Sequence, residues 1–328
     1  MSEFLYCSSP SLDSFGSYEH RVVLTQKIVD VLYGEFNGVF EQTEEVGRSY
    51  KWNSDKKIRI YIGTYWPKTF SEVFMFFSSL FKTYGTSSFI EHNGDITILD
   101  IGANSLPATA GLIYALKEAG TNLNKITVNA IDLNRKPMEI GVKILKALFP
   151  DIDFHFNLCK CNFYSLYSRW LQPKMEHDFI LCSKMGNELY FQNVFRGYIK
   201  VLKFAENRLK EKGVFYFSDI TNKPSDYSDK FFPMIMNKEI NKYVRKEREL
   251  SIVYPIPCGF KAKQCKNKKC FTQAVLRIVN PYAPKGYYYA KFSPKLFVKR
   301  GRANYFLSKF DKNKIYTIAC KFRENSYC

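Results

Sequence analysis

The sequence predicts an α/β fold on a doubly wound, mostly parallel sheet, and three observations carry that expectation. Short apolar strands near 96–101, 126–131, 153–158, 178–182 and 214–218 alternate with helix-length segments, a pattern that calls for helices on both faces of a parallel sheet. The first strand runs into a small-residue turn that opens a helix, in ITILDIGANSLPATAG from Ile96 to Gly111. Two later apolar runs, LSIVYPIPCGF from Leu250 and CFTQAVLRIVN from Cys270, read as strands joined by a short basic link. They would close the sheet with a terminal antiparallel hairpin.

In chain order, residues 21 to 50 show helical spacing in RVVLTQKIVDVLYGEF, and a second helical stretch, TFSEVFMFFSSLFKTYG, follows Pro67. These predict an N-terminal helical cap over residues 1–90. The sheet domain follows over 91–280, with its longest helix from Glu188 to Lys212 stopped at Gly213. A basic, aromatic C-terminal extension completes the chain over 281–328.

With 328 residues, 46% hydrophobic and 17% aromatic, the chain can bury a full core. No run approaches the roughly 18 consecutive apolar residues of a membrane helix, and the start lacks the basic-then-apolar order of a signal peptide. The expectation is a soluble, cytoplasmic protein without a membrane partner, whose nine cysteines are free thiols or metal ligands rather than disulfides. The net charge of +18 is unevenly placed: residues 241–328 hold 21 Lys and Arg against 4 Asp and Glu, whereas the first 240 are almost balanced. In GYYYAKFSPKLFVKRGRANYFLSKF, Gly286 to Phe310, the cations are interleaved with rings. Cations neutralise phosphates and exposed rings stack on unpaired bases, so the mixture suits RNA. A solvated basic face is the plainer alternative, and Tyr288, Phe292 and Phe297 can equally serve the core.

In a doubly wound sheet, ligands sit beyond the carboxyl ends of the strands where the winding reverses, and Gly102 to Leu106 and Asp132 fall there. Asp132 ends the second strand in VNAIDLN, where a carboxylate can accept both hydroxyls of a ribose or cap the next helix. A dinucleotide site needs G-x-G-x-x-G/A so that a pyrophosphate can rest on the helix N-terminus, and Asn104-Ser105-Leu106-Pro107 matches that poorly. A cofactor without phosphates tolerates a bulkier turn.

On these residues the chain resembles the class I S-adenosylmethionine-dependent methyltransferases from Ile96 to about Asn280. LDIGAN corresponds to the cofactor loop, NAIDLN to the ribose acid, CKCNF to the adenine edge, HDFILCSKMGNEL to strand four and GVFYFSD to strand five. The resemblance implies a Rossmann-like methyltransferase sheet binding S-adenosylmethionine through Asp100, Gly102, Asn104, Asp132, Leu133, Cys161 and Asn162. The loop departs from the family's D-x-G-x-G-x-G at Asn104 and Leu106. Asn replaces Gly well at a left-handed position; Leu does not, and Leu106 raises the question whether catalysis survives.

A narrower likeness, to the small-subunit ribosomal RNA methyltransferase-like family with mitochondrial members, rests on Gly186-Asn187-Glu188-Leu189 and on IPCGFKAKQCKNKKCF. It implies a metal site of Cys258, Cys265, Cys270 and Cys320 for an iron–sulfur cluster; such thiolates would also suit zinc, and unligated cysteines are the alternative. Methyl transfer is an in-line displacement that chiefly needs positioning. Ser183, Asn187 and Glu188, following strand four, are the candidate catalytic residues: Asn187 could hold an acceptor nitrogen and Glu188 take a proton, or both could merely support the helix start. His92, His155 and His177 show no ligand spacing. The expected function is methylation of RNA, ribosomal RNA included; the alternatives are a catalytically degenerate RNA- or ribosome-binding factor and a methyltransferase for a small molecule or protein.

Overall fold

The chain, seen in a computed structural model that describes residues 20–41, 54–90, 94–163, 175–225, 227–244, 248–255, 271 and 273–309, begins with a strand. β1 (His20–Val23) leads into α1 (Gln26–Val29), which continues as a wider π-turn over Asp30–Glu35. α2 (Asp55–Ile60) runs through a second π-stretch, Tyr61–Tyr65, into α3 (Trp66–Tyr84). The regular alternation follows: β2 (Asp95–Ile101), α4 (Pro107–Glu118), β3 (Lys125–Asp132), α5 (Arg135–Leu148), β4 (Asp153–Lys160) and β5 (His177–Ser183). Then come α6 (Met185–Phe191), α7 (Gly197–Glu206), β6 (Leu209–Ile220), α8 (Phe232–Val244), β7 (Leu250–Tyr254), β8 (Ala274–Val279), β9 (Tyr287–Lys299) and α9 (Ala303–Ser308).

The strands form one sheet in the order β1-β8-β9-β6-β5-β2-β3-β4, with β7 also paired to β9. β2 is parallel to both β3 and β5, and β6 is parallel to β5. β9 alone runs against its neighbours β6, β7 and β8. The winding therefore reverses between β2 and β5, and the carboxyl ends of those strands open a crevice.

Side-chain alternation along the strands fills both faces. Ile96 and Ile98 of β2 with Phe179 and Leu181 of β5 join the core under α3 and α4. Leu99, Ile101, Ile180 and Cys182 pack instead with Tyr198, Val201, Met236 and Ile240 of α7 and α8. On the first face α3 and α4 approach backbone to backbone, since a Cβ on Gly111 would stand 2.6 Å from the Phe70 carbonyl oxygen.

The five predicted strands are present as β2 to β6, and the structure corrects the elements around them. The start of RVVLTQKIVDVLYGEF is extended, because β1 adds a parallel strand beside β8, with Val22 opposite Ile278. The single helix expected from Glu188 to Lys212 is two helices and a strand. Left-handed turns at Asn193 and Arg196 separate α6 from α7, and β6 already begins at Leu209. Gly213 lies inside β6, where a Cβ would meet the His177 carbonyl oxygen at 2.8 Å. The reversed strand is drawn from the expected extension: β7 and β8 pair with β9, and the terminal hairpin is β8–β9, turned through Gly286 at φ 68°. Tyr288, Phe292 and Phe297 consequently lie in the core.

Candidate active site

The loop after β2 carries the backbone geometry of a glycine-rich turn with few glycines. Gly102 (φ 74°), Asn104 (φ 43°) and Leu106 (φ 60°) are all left-handed, at the alternate positions where the motif has Gly. The turn is held by Gly102 N–H and Ala103 N–H donating to the Ile131 carbonyl, at 2.9 and 3.1 Å. The Trp66 indole, on α3, donates to the Ser105 carbonyl at 3.0 Å. Leu106 is fully buried in the core and does not line the crevice.

Asp132, at the end of β3, ties this loop to the next. One carboxylate oxygen accepts from Asn104 N–H at 2.9 Å and the other from Asn134 N–H at 2.8 Å. Burial raises its pKa, opposed by these backbone donors. The oxygen facing Asn134 also accepts from that residue's side-chain Nδ2 at 3.3 Å, so the oxygen that takes the Asn104 N–H is the one that keeps a lone pair for a ligand hydroxyl. Asp100, by contrast, lies beneath the loop: it is 2% exposed and accepts from Thr109 Oγ1 at 2.8 Å. Burial pushes it up to about 7. Its place makes it a support for the loop rather than a ligand contact.

The crevice is a cavity of about 820 Å³, within the range that takes a cofactor together with part of a substrate. Gly102, Asn104, Asp132, Leu133, Cys161, Asn162, Ser183, Asn187 and Glu188 all line it, so the structure brings together every predicted cofactor and catalytic position except Asp100. Cys258, Cys265, Cys270 and Cys320 lie outside the described residues. Among the described residues no group of three or more His, Cys, Asp and Glu side chains is arranged to hold a metal.

The turn after β5 explains Gly186-Asn187-Glu188. A Cβ on Gly186 would stand 2.2 Å from the Tyr198 ring and 2.8 Å from Asp219 Oδ2, so only Gly lets α6 start here. Buried Asp219 accepts from the Tyr198 hydroxyl at 2.6 Å and, with the Asn187 amide oriented to satisfy its neighbours, from that amide at 3.0 Å. The Asn187 amide also donates to the Lys184 carbonyl. Its donor is thus engaged inside the protein rather than aimed at an acceptor. Glu188 faces the cavity, and burial, with Asp132 and Asp219 nearby, raises it to about 8.

One wall was not legible in the sequence. Tyr61 and Tyr65, at the ends of the π-stretch, line the cavity with Lys68, Thr69 and Glu72 of α3. Glu72 is 1% exposed; Lys184 Nζ reaches its Oε1 at 3.0 Å and Thr69 Oγ1 at 3.2 Å. Its other oxygen has no hydrogen-bond partner among the described residues. Burial lowers Lys68 to about 8, with Lys184 adding to the effect and Glu72 opposing it. The one sequence signal for this wall was Glu72 itself, an acid inside the apolar run TFSEVFMFF. The outer part is built by exposed Phe191, Lys223, Tyr289 and Lys291.

No family model matches the sequence, and no curated protein matches it. Among solved structures, a candidate RNA methyltransferase of Pyrococcus horikoshii aligns at 11% identity over 84% of this chain and 97% of its own, with a TM-score of 0.39. An S-adenosylmethionine-dependent methyltransferase of Clostridium acetobutylicum aligns at 13% identity over 68% and 90%, with a TM-score of 0.38. An O-methyltransferase of Bacillus cereus, solved with S-adenosylhomocysteine, aligns at 13% over 70% and 90%, with a TM-score of 0.35. The sheet order β4-β3-β2-β5-β6-β9-β8, parallel except for the late strand β9 inserted antiparallel beside β6, is a doubly wound Rossmann-like sheet with one reversed late strand, the arrangement that the resemblance to the class I S-adenosylmethionine-dependent methyltransferases implied.

Proposed function

We propose that the chain is an S-adenosylmethionine-dependent methyltransferase acting on RNA. The observation that carries the cofactor reading is the crevice at the winding reversal, floored by the left-handed positions Gly102 and Asn104 and closed by the Asp132 carboxylate. The donor set fits the group: the Asp132 oxygen beside Asn104 keeps a lone pair for a ribose hydroxyl, and Glu72, Asp132 and Glu188 give the interior acids that a cationic sulfonium would favour. When bound, S-adenosylmethionine would supply a methyl group on positive sulfur, transferred in line to an acceptor nitrogen, oxygen or carbon. The chain's own part is to orient and to take a proton. Glu188 is the cavity carboxylate suited to that, because a pKa near the working pH makes it a stronger base than an ordinary carboxylate while keeping it partly ionised.

The RNA reading is supported by the change of charge across the cavity, from acids inside to Lys223 and Lys291 at the exposed rim beside Phe191 and Tyr289. A degenerate, binding-only fold was suggested by Leu106, and that argument weakens because its side chain points into the core and leaves the crevice open. Calorimetry with S-adenosylmethionine and its demethylated product tests the cofactor. Asp132→Ala removes a charged acceptor and should weaken binding by about 1.5 to 3 kcal/mol, roughly 10- to 150-fold; unchanged affinity would refute the site. Transfer of labelled methyl groups to RNA, compared with protein and small-molecule acceptors, tests the substrate.

A further inference from the structure

We propose that one face of β1, β8 and β9 is a platform that holds single-stranded RNA and leads it into the cavity; this rests on the RNA reading above. The observation is the alternation along three neighbouring strands. β9 pairs with β8 so that Tyr289 stands opposite Arg277, Tyr287 opposite Val279 and Lys291 opposite Val275, and β1 sets Arg21 beside Arg277. These residues share one face. Their partners on the other face, Leu276, Ile278, Tyr288, Ala290 and Phe292, are buried in the core under α3.

The two faces differ in cover. The side bearing Tyr289 lies under α7 and α8 farther along β9, where Phe297 packs with Phe215 and Ile240. Toward β8 and β1 no described helix continues that cover: Tyr289 is 46% exposed, Arg21 and Lys291 are exposed, and Arg277 and Tyr287 are half-buried. The uncovered face presents Arg21, Arg277 and Lys291 with Tyr287 and Tyr289, and no acid stands among the eight facing residues of the three strands.

The side chains are already arranged for planar ligands. The Arg277 guanidinium lies 4.0 Å from the Tyr287 ring centroid, and its Nε has no hydrogen-bond partner among the described residues. Tyr287 and Tyr289 meet edge to face at 5.8 Å, and nearly half of Tyr289 is open to solvent. Unpaired bases stack on such rings whatever their identity, and the cations meet the phosphates. A protein partner would more often seek a larger apolar patch; the charge here complements a polyanion. The platform is continuous with the cavity, because Tyr289, Ala290 and Lys291 line it. A strand of RNA lying across β8 and β9 would thus present its next nucleotide to the rim near Phe191 and to Glu188 beyond.

The test uses the full chain and a fluorescein-labelled single-stranded oligoribonucleotide of mixed sequence, followed by anisotropy at several salt concentrations, with a duplex of the same sequence for comparison. Tyr287→Ala/Tyr289→Ala should weaken single-strand binding at least tenfold and duplex binding much less, whereas Tyr289→Phe should keep it. Arg277→Gln should lower the slope of log affinity against log salt by about 0.7. Ultraviolet cross-linking to the unaltered protein should place the linked peptide at residues 287–291, a readout that needs no variant to fold. Wild-type RNA affinity in the folded double variant, with cross-links elsewhere, would overturn the platform while leaving RNA as acceptor, and would point to a protein partner for the face. Absence of RNA binding by the unaltered protein would overturn both readings.

Discussion

Leu106 holds a left-handed backbone position of the kind that favours glycine, and the reason a leucine stands there can be measured. Its backbone is left-handed (φ 60°, ψ 33°) at the N-terminus of α4, and its side chain is 0% exposed. The conformation costs a residue with a Cβ about 1 to 2 kcal/mol. Truncating a buried leucine costs about 2 to 5 kcal/mol. Burial therefore outweighs strain, and Leu is retained although the backbone would favour Gly. Leu106→Ala keeps the strain and loses the burial, so it should destabilise by about 3 kcal/mol. Leu106→Gly loses the same burial, relieves the strain, and gives back about 0.5 to 1 kcal/mol through the greater freedom of the unfolded chain. The glycine variant should thus equal the alanine variant or exceed it in stability by up to about 1.5 kcal/mol, the reverse of the order at a right-handed helix position. Guanidinium denaturation of the three proteins, compared at equal slope, reads the order. Because the side chain does not line the cavity, cofactor affinity by calorimetry should change less than about threefold in whichever variants remain folded. A glycine variant clearly less stable than the alanine variant would refute the backbone argument, and a large gain in cofactor affinity would show that Leu106 obstructs the site after all.

Three other expectations follow from the site. Glu188 sits at about 8 and is ionised above that value, so affinity for the cationic S-adenosylmethionine should rise as pH passes upward through 8 while that for its neutral-sulfur product stays nearly flat. Glu188→Gln should remove the difference, and parallel pH profiles in the unaltered protein would count against a carboxylate beside the sulfonium. Asp100 is held at about 7 by burial, against 3.8 ordinarily, so the folded chain keeps a proton that the unfolded chain releases. This contribution to stability is fully present below about pH 4 and is lost as pH rises to 7. Asp100→Asn should flatten that part of the stability profile, and a profile identical to that of the unaltered protein would refute it. For Cys258, Cys265, Cys270 and Cys320, anaerobically purified protein should carry stoichiometric zinc or absorb visibly through an iron–sulfur cluster; metal-free folded protein with all four thiols reactive would return them to unligated cysteines.

The sequence made visible what local chemistry encodes. β2 to β6 could be read because each is a short apolar run between turn residues, and the loop and Asp132 because a left-handed turn and a strand-end carboxylate leave their marks within a few residues. What was misread depends on distant partners. Lys210, Glu211 and Lys212 imitate the charged last turn of a helix, yet they open β6, where Lys210 Nζ reaches both oxygens of Asp178 at 3.0 and 2.9 Å. Tyr287 to Lys299 imitates a basic tail because its rings stand on both sides of the strand, and only the pairing with β6 and β8 separates core rings from exposed ones. The same reason hid the inner wall of the cavity. Glu72 lies in a helix whose other buried residues are uncharged, most of them apolar, and a carboxylate there is costly unless a cation meets it. That cation is Lys184, 112 residues later in the chain, set at the left-handed start of α6. A buried acid kept in so apolar a helix, paired through one oxygen and with the other unpartnered among the described residues, is poorly explained by packing alone. It is better explained by the site it faces, where the unused oxygen can accept from a ligand.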